Sequence, residues 1–214
     1  MNKYRVQLEI AGPLAMFSRP DTGGTPVSYP APTFSACKGM FETIAWLPRG
    51  SWIRPVKVEI CKRKESSGGA INFQQYANNY GGPNRKTDQI ANNNSFQFFN
   101  QVITNVCYRL HGEVVRNKNQ PSAKGQNSCH YLMDLFNRRL KQGRCFRTPC
   151  LGLSEFTATY WGKFRDEYEV DTDLNGLRIA AMLRSVWSNP VGGDYSPTFM
   201  HDLEIEKGVL SFAK

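Results

Sequence analysis

The chain has 214 residues, a formal net charge of +9, and 40 % hydrophobic and 12 % aromatic residues. That length suits one domain, or one domain with a small appendage, and can bury a core without disulfide or metal staples. No apolar run reaches the roughly 18 residues a membrane span needs, and the alternating start MNKYRVQLEIAG is no secretory signal, so a cytoplasmic protein with no membrane partner is expected.

Residues 3–10 alternate, with Tyr4, Val6, Leu8 and Ile10 on one side, and read as a strand. The Gly/Pro-rich stretch 12–32 reads as a loop, too long for a plain connection. Thr33 can cap a helix whose core face is Phe34, Cys37, Phe41 and Ile44, with Pro48 as its limit. Residues 52–62 read as a strand, with Ile53, Val56, Val58 and Ile60 among Arg54, Lys57 and Lys62. Residues 66–101 are rich in Asn, Gln and Gly, with Phe73, Tyr76, Tyr80, Phe96, Phe98 and Phe99 spread among them. They read as a long insertion, mobile or partner-dependent, with a short hairpin of its own. A strand at 103–116 (Val106, Tyr108, Leu110, Val114) and a polar loop at 117–127 come next. A helix over 128–142 has Leu132, Leu135, Phe136 and Leu140 as its apolar stripe, His130, Asp134, Arg138 and Lys141 outward, and Gly143 as its stop. Residues 153–164 read as a strand through Phe156, Ala158 and Tyr160. Strand-like runs at 177–187, 199–205 and 209–212, with a turn at Glu206-Lys207-Gly208, suggest a small C-terminal antiparallel sheet.

The order β-α-β-(insertion)-β-α-β is that of an α+β, ferredoxin-like fold of the RNA-recognition-motif type. It divides the chain into a domain at 1–165, carrying the insertion, and a C-terminal region at 166–214.

Charge is unevenly spread. Residues 109–147 hold nine cations against two acids, a net +7, whereas 165–206 hold nine acids against three arginines, a net −6. One face for a polyanion and a different face elsewhere follow from this asymmetry. The basic stretch interleaves cations with aromatics, a pattern that combines phosphate contact with base stacking. Phe146, between Arg144 and Arg147, fits either stacking or a core anchor. Arg19 either clamps a phosphate or holds its own loop by a salt bridge. Lys38 is placed to reach a phosphate near the start of the first helix.

No GxSxG, HExxH, Walker or GxGxxG pattern occurs, and the six cysteines include no CxxC pair. Free thiols, no metal and no cofactor are expected. Of three histidines, His111 reads as structural or solvent-facing and His201 as uninvolved. His130 is either a catalytic base for metal-independent RNA cleavage or a helix-start, RNA-contacting residue.

Three blocks carry a family resemblance: GPLAMFSRP, then VSYPAPTFSACKGMFETIAW (Val27–Trp46), then FNRRLKQGRCFRTPCLGLSEFTATY (Phe136–Tyr160), with EKGVLSF as a weaker fourth. The sequence resembles the Cas5 family, the RAMP proteins of type I CRISPR effector complexes, and within it the subtype I-C group. That resemblance implies a ferredoxin-like domain and a small C-terminal sheet. It implies binding of the 5′ handle of CRISPR RNA at one end of the effector, beside the backbone and large subunits, with target DNA only an indirect partner. Residues 66–101 would be a thumb-like insertion touching the adjacent backbone subunit. The RNA-binding set drawn from charge and resemblance is Arg19, Tyr29, Lys38, Arg109, Tyr131, Arg138, Arg139, Lys141, Arg144, Phe146 and Arg147. Subtype I-C relatives also cut precursor RNA without metal, using a Tyr, a Lys and a His. Here Ala45 stands at the Tyr position. The Lys-His pair falls on Tyr131 and Leu132 or, with a small shift, on Cys129 and His130. A non-cutting, handle-binding subunit is therefore expected, with a metal-independent endoribonuclease as the alternative.

Overall fold

The computed structural model describes residues 4–80, 96–119, 121, 127–190 and 192–212. The expected insertion lies partly outside this set, at 81–95, as does most of the polar loop at 117–127. The elements are β1 (Arg5–Ala15), α1 (Phe34–Ile44), β2 (Ser51–Arg63), β3 (Phe73–Tyr80), β4 (Phe96–Arg116), α2 (Ser128–Gln142), β5 (Tyr160–Gly162), β6 (Tyr168–Val170), β7 (Leu177–Asn189), β8 (Gly192–Glu206) and β9 (Val209–Ser211). The strands form a sheet in the order β5-β1-β4-β2-β9-β8-β7, with β3 added to β4 and β6 to β2. Every strand pairing in it is antiparallel, so the fold is α+β.

Both helices form where their caps and stripes require. Thr33 Oγ1 accepts from the Ala36 N–H at 3.1 Å, satisfying one of the first-turn donors that α1 leaves unpaired. Phe34, Cys37, Met40, Phe41 and Ile44 then point one way and are buried. The α2 helix starts on Asn127, which accepts from the His130 N–H, and stops at Gly143, whose φ of 63° is left-handed. There the N–H groups of Gly143 and Arg144 turn back to the carbonyls of Leu140 and Arg139. Leu132, Leu135 and Phe136 face the core, and Leu140 is half-buried at its edge. The helices share one side of the sheet, with Phe41 against Phe136 at 5.8 Å between ring centroids, over Leu8, Ile10, Val58, Ile60 and Leu110.

Several strand expectations change. The β1 strand continues to Ala15, because Pro13, which has no N–H to donate, lies opposite the irregular Asn105 (φ 53°) and Leu14 pairs again with Thr104. Val56 is half-buried where the β2–β4 register shifts between Pro55 and Lys57. The last strand of the first half covers only Tyr160–Gly162, and residues 151–156 turn instead. The turn depends on Gly152 (φ 96°), where a Cβ would come within 1.7 Å of the Met16 carbonyl oxygen. The β4 strand begins at Phe96, seven residues early, because it forms a hairpin with β3 from Phe73↔Ile103 to Tyr80↔Phe96. That hairpin is the one expected within the insertion. At the C-terminal end, β7 and β8 form a second hairpin, and β9 pairs with both β8 and β2.

Candidate nucleic-acid interface

A helix ends with carbonyls that its own turns do not satisfy. At the end of α1 these are met from the far end of α2. Arg139 Nη1 donates to the Ile44 carbonyl at 2.8 Å. The N–H groups of Phe146 and Arg147 both donate to the Thr43 carbonyl, at 2.7 and 3.0 Å. The basic loop after α2 is thereby clamped onto α1. One consequence is that Trp46 and Phe146, a hundred residues apart in the chain, stack with ring centroids 5.9 Å apart and planes at 28°. The Arg147 guanidinium stands 5.7 Å from the Phe146 ring. Both rings stay open to solvent, Trp46 at 37 % and Phe146 at 52 % exposure.

Arg138 and Lys141 on the last turns of α2, and Arg144 and Arg147 in the loop after it, are exposed, and none forms an ion pair among the described residues. Arg139 is half-buried, and its hydrogen bond to α1 makes it the clamp rather than a free cation. Next to the stack lies a cleft of about 820 Å³, bounded by α1, by residues 146–154 and by Met16–Ser18, with Leu183 of β7 at its margin.

The other expected site residues lie elsewhere. Lys38 is paired with Glu42 at 2.6 Å, and burial pushes the Glu42 carboxyl above its usual range while Lys38 opposes the shift. Arg19 makes a two-point contact with Asp21 at 3.0 and 2.6 Å and lies 5.8 Å from the Tyr29 ring. Tyr29 itself is in the core. Tyr131 is exposed on α2. His130, also exposed, stands 3.1 Å from Asp134 one turn on and packs beside Tyr4. Nine residues of α2 separate His130 from Arg139, a rise of roughly 14 Å. His130 is thus about that far along the helix from the residue that touches the end of α1. Ala45 is buried at 1 % exposure, and Cys129 faces the core with its Sγ 3.3 Å from Ser51 Oγ.

Arg109 belongs to a different assembly, on the side of the sheet away from the helices. Glu9, fully buried, takes Arg109 Nε at 3.1 Å and Arg165 Nε at 2.6 Å. Arg109 also donates to the carbonyls of Arg165 and Tyr168, and Arg165 lies 3.6 Å from the Tyr160 ring centroid. Segment 160–170 therefore covers the middle of this face, where open sheets of RNA-recognition motifs present stacking aromatics. Arg165 was not legible as its keystone, since its partner Glu9 lies 156 residues away. Trp46 carried a weak signal only, an aromatic just past a helix end.

Among the described residues, no group of three or more His, Cys, Asp or Glu side chains could hold a metal, and no helix is long and apolar enough to cross a membrane.

A family model described as CRISPR-associated protein (Cas_Cas5) matches residues 6–205. The chain is 25 % identical over 219 residues to the CRISPR pre-crRNA endoribonuclease Cas5d of Mannheimia succiniciproducens, covering 95 % of this chain and 87 % of that protein. It is 29 % identical over 157 residues to the CRISPR pre-crRNA endoribonuclease Cas5d of Thermus thermophilus, covering 73 % of this chain and 63 % of that one. Two solved structures share its fold. One is a CRISPR-associated protein (TM-score 0.65, 19 % identity) and the other a functionally uncharacterized protein from Streptococcus mutans (TM-score 0.68, 17 % identity). Each match covers all of this chain and 94 % of the other.

Proposed function

The chain belongs to the Cas5 family of CRISPR-associated proteins, and on that premise we propose that it binds CRISPR RNA as a subunit of a type I effector complex. It seats the 5′ handle of the guide and caps that end of the assembly. The observation that carries this reading is the Trp46–Phe146 stack with Arg147 against it, on the same basic segment where Arg138, Lys141, Arg144 and Arg147 are exposed and form no ion pair among the described residues. Unpaired cations supply phosphate contacts, and open rings supply a stacking platform. Arg109 and Tyr29 then support the fold rather than the RNA.

The family premise also supports reading β1-α1-β2-β4-α2-β5 as a ferredoxin-like plan, consistent with the strand order β5-β1-β4-β2. In this reading the domain spans 1–165, with 66–101 as a thumb-like insertion toward the backbone subunit, and 166–214 forms the C-terminal region. The large subunit is a second protein partner, and target DNA is met only through the complex. Binding of the repeat-derived handle RNA by the purified protein tests the proposal. Affinity falls with salt at a log-log slope of about −0.7 for each phosphate neutralised. A salt-independent response, or no binding at low salt, overturns it.

The names of the two relatives favour a second reading, cleavage of precursor RNA by this chain. Metal-independent cleavage needs a base at the 2′-oxygen and a cation and an acid near the same bond. Buried Ala45 offers no proton, Cys129 is turned into the core, and the arginines stay charged and are poor proton carriers. Of the residues the resemblance aligns with that site, His130, 3.1 Å from Asp134, and Tyr131 are the exposed ones that support this reading. With precursor RNA in EDTA, slow or no cutting is expected. Efficient, site-specific cutting that disappears in His130→Ala establishes the endoribonuclease.

A further inference from the structure

The cleft beside the Trp46–Phe146 stack follows α1 along its length. Thr33 and Ser35 lie at one end, Gly39 and Glu42 in the middle, and the stacked rings at the other. Eleven helical residues span roughly 16 Å, and about 820 Å³ falls within the usual size range of pockets that hold small ligands. Gly39 is the telling residue. It sits in the interior of α1, where glycine is the least favourable residue after proline. Yet a Cβ placed there would meet nothing within 4 Å. Packing inside the protein therefore does not demand this glycine. A glycine in such a place fits close approach of something that is not part of the chain.

We propose that this cleft holds a single-stranded segment of RNA, with one unstacked nucleobase laid against the Trp46–Phe146 pair and the strand passing over Gly39. This rests on the RNA-binding function proposed above and names a pocket within it. The two rings already form a stack, and a third aromatic plane extends it. Arg147, at the rim beside Phe146, faces the phosphate that accompanies such a base. Half-buried Glu42 offers a carboxylate on the cleft wall to an exocyclic amine, so amine-bearing bases are favoured over uracil.

The test uses the full chain and a ten-nucleotide single-stranded RNA from its own repeat handle, with 2-aminopurine placed at each position in turn. One position is quenched on binding. Trp46→Ala and Phe146→Ala each weaken binding, by about five-fold to a hundred-fold, with the salt slope unchanged. Trp46→Phe retains most of the affinity. Gly39→Ala and Gly39→Leu raise the melting temperature and weaken binding, a pairing of effects that a merely structural glycine does not produce. If the unsubstituted chain binds the RNA and all these variants bind equally well, the pocket is wrong and the RNA-binding function stands. If the chain does not bind the RNA at low salt, both fall.

Discussion

Glu9 shows how one buried charge organises a surface that its neighbours in sequence do not reveal. It is fully buried between Arg109 and Arg165, and each guanidinium also engages a carbonyl, an aromatic ring or a further acid. Removing one partner of such a group leaves charge buried without compensation. Arg109→Met is therefore expected to destabilise the chain by about 3 kcal/mol, read as a lower urea midpoint. Its handle affinity, measured on folded protein, stays unchanged, because Arg109 does not face the proposed RNA surface. Glu59 gives a pH-dependent counterpart. Its hydrogen bond from His111, and then Lys57, overcome its burial and hold its carboxyl down at about 2, against a usual value of 4.5. A depressed carboxyl contributes stability that is complete above pH 4.5 and is lost as pH falls toward 2. Glu59→Gln should flatten the acid limb of the stability profile in that window. Urea melts at intervals between pH 2 and 7 provide the check.

The α2 helix and the loop behind it turn these local features into a site. The amphipathic stripe places Leu132, Leu135 and Phe136 inward and by geometry leaves Arg138 and Lys141 outward. Gly143 then reverses the chain so that Phe146 and Arg147 reach the end of α1. Gly143→Ala puts a Cβ in open space, so its cost is conformational alone, about 1 kcal/mol. The expected result is a lower melting temperature together with weaker RNA binding, because the same turn aims the Trp46–Phe146 stack. Normal RNA affinity in a destabilised Gly143→Ala protein would show that the turn holds the fold but not the site. Thr33, Gly143 and the stripes of both helices were legible in the sequence, since they depend on neighbours three or four residues apart. The extents of β1, β4 and β5 were not. They depend on Asn105, on the β3 partner strand and on the Gly152 turn against Met16, none of which leaves a local period.

Over the whole molecule, the basic segment 109–147 does not act as one surface. Arg109 lies on the covered side of the sheet and Arg139 ties the helices together; Arg138, Lys141, Arg144 and Arg147 are exposed on the C-terminal half of α2 and the loop after it, while Arg116 and Lys118 are exposed at the end of β4. Arg138→Glu and Arg144→Glu are therefore expected to lower handle affinity and make the salt slope shallower by about 0.7 for each phosphate that is no longer neutralised. Charge reversal of Arg19, already held by Asp21, changes the slope less. Titrations at several salt concentrations separate the two. Equal slopes for all three variants would mean that RNA spreads over the whole cationic surface.

Sequence by itself determined the α+β class, both helices with Thr33 at the start of one and Gly143 at the end of the other, the turn at Glu206-Lys207-Gly208 and the presence of a basic, aromatic stretch. Each rests on a short period or on a few adjacent side chains, and those are written directly in the chain. It also carried the family, through blocks spaced from end to end. Tertiary structure alone decided which cations remain free, because a guanidinium is claimed or released by partners that folding brings from far away. Arg109 is claimed by Glu9, a hundred residues distant, and Arg139 by the Ile44 carbonyl, 95 residues distant. The Trp46–Phe146 stack exists for the same reason. It arises only once the unsatisfied end of one helix has been capped by the loop that follows the other.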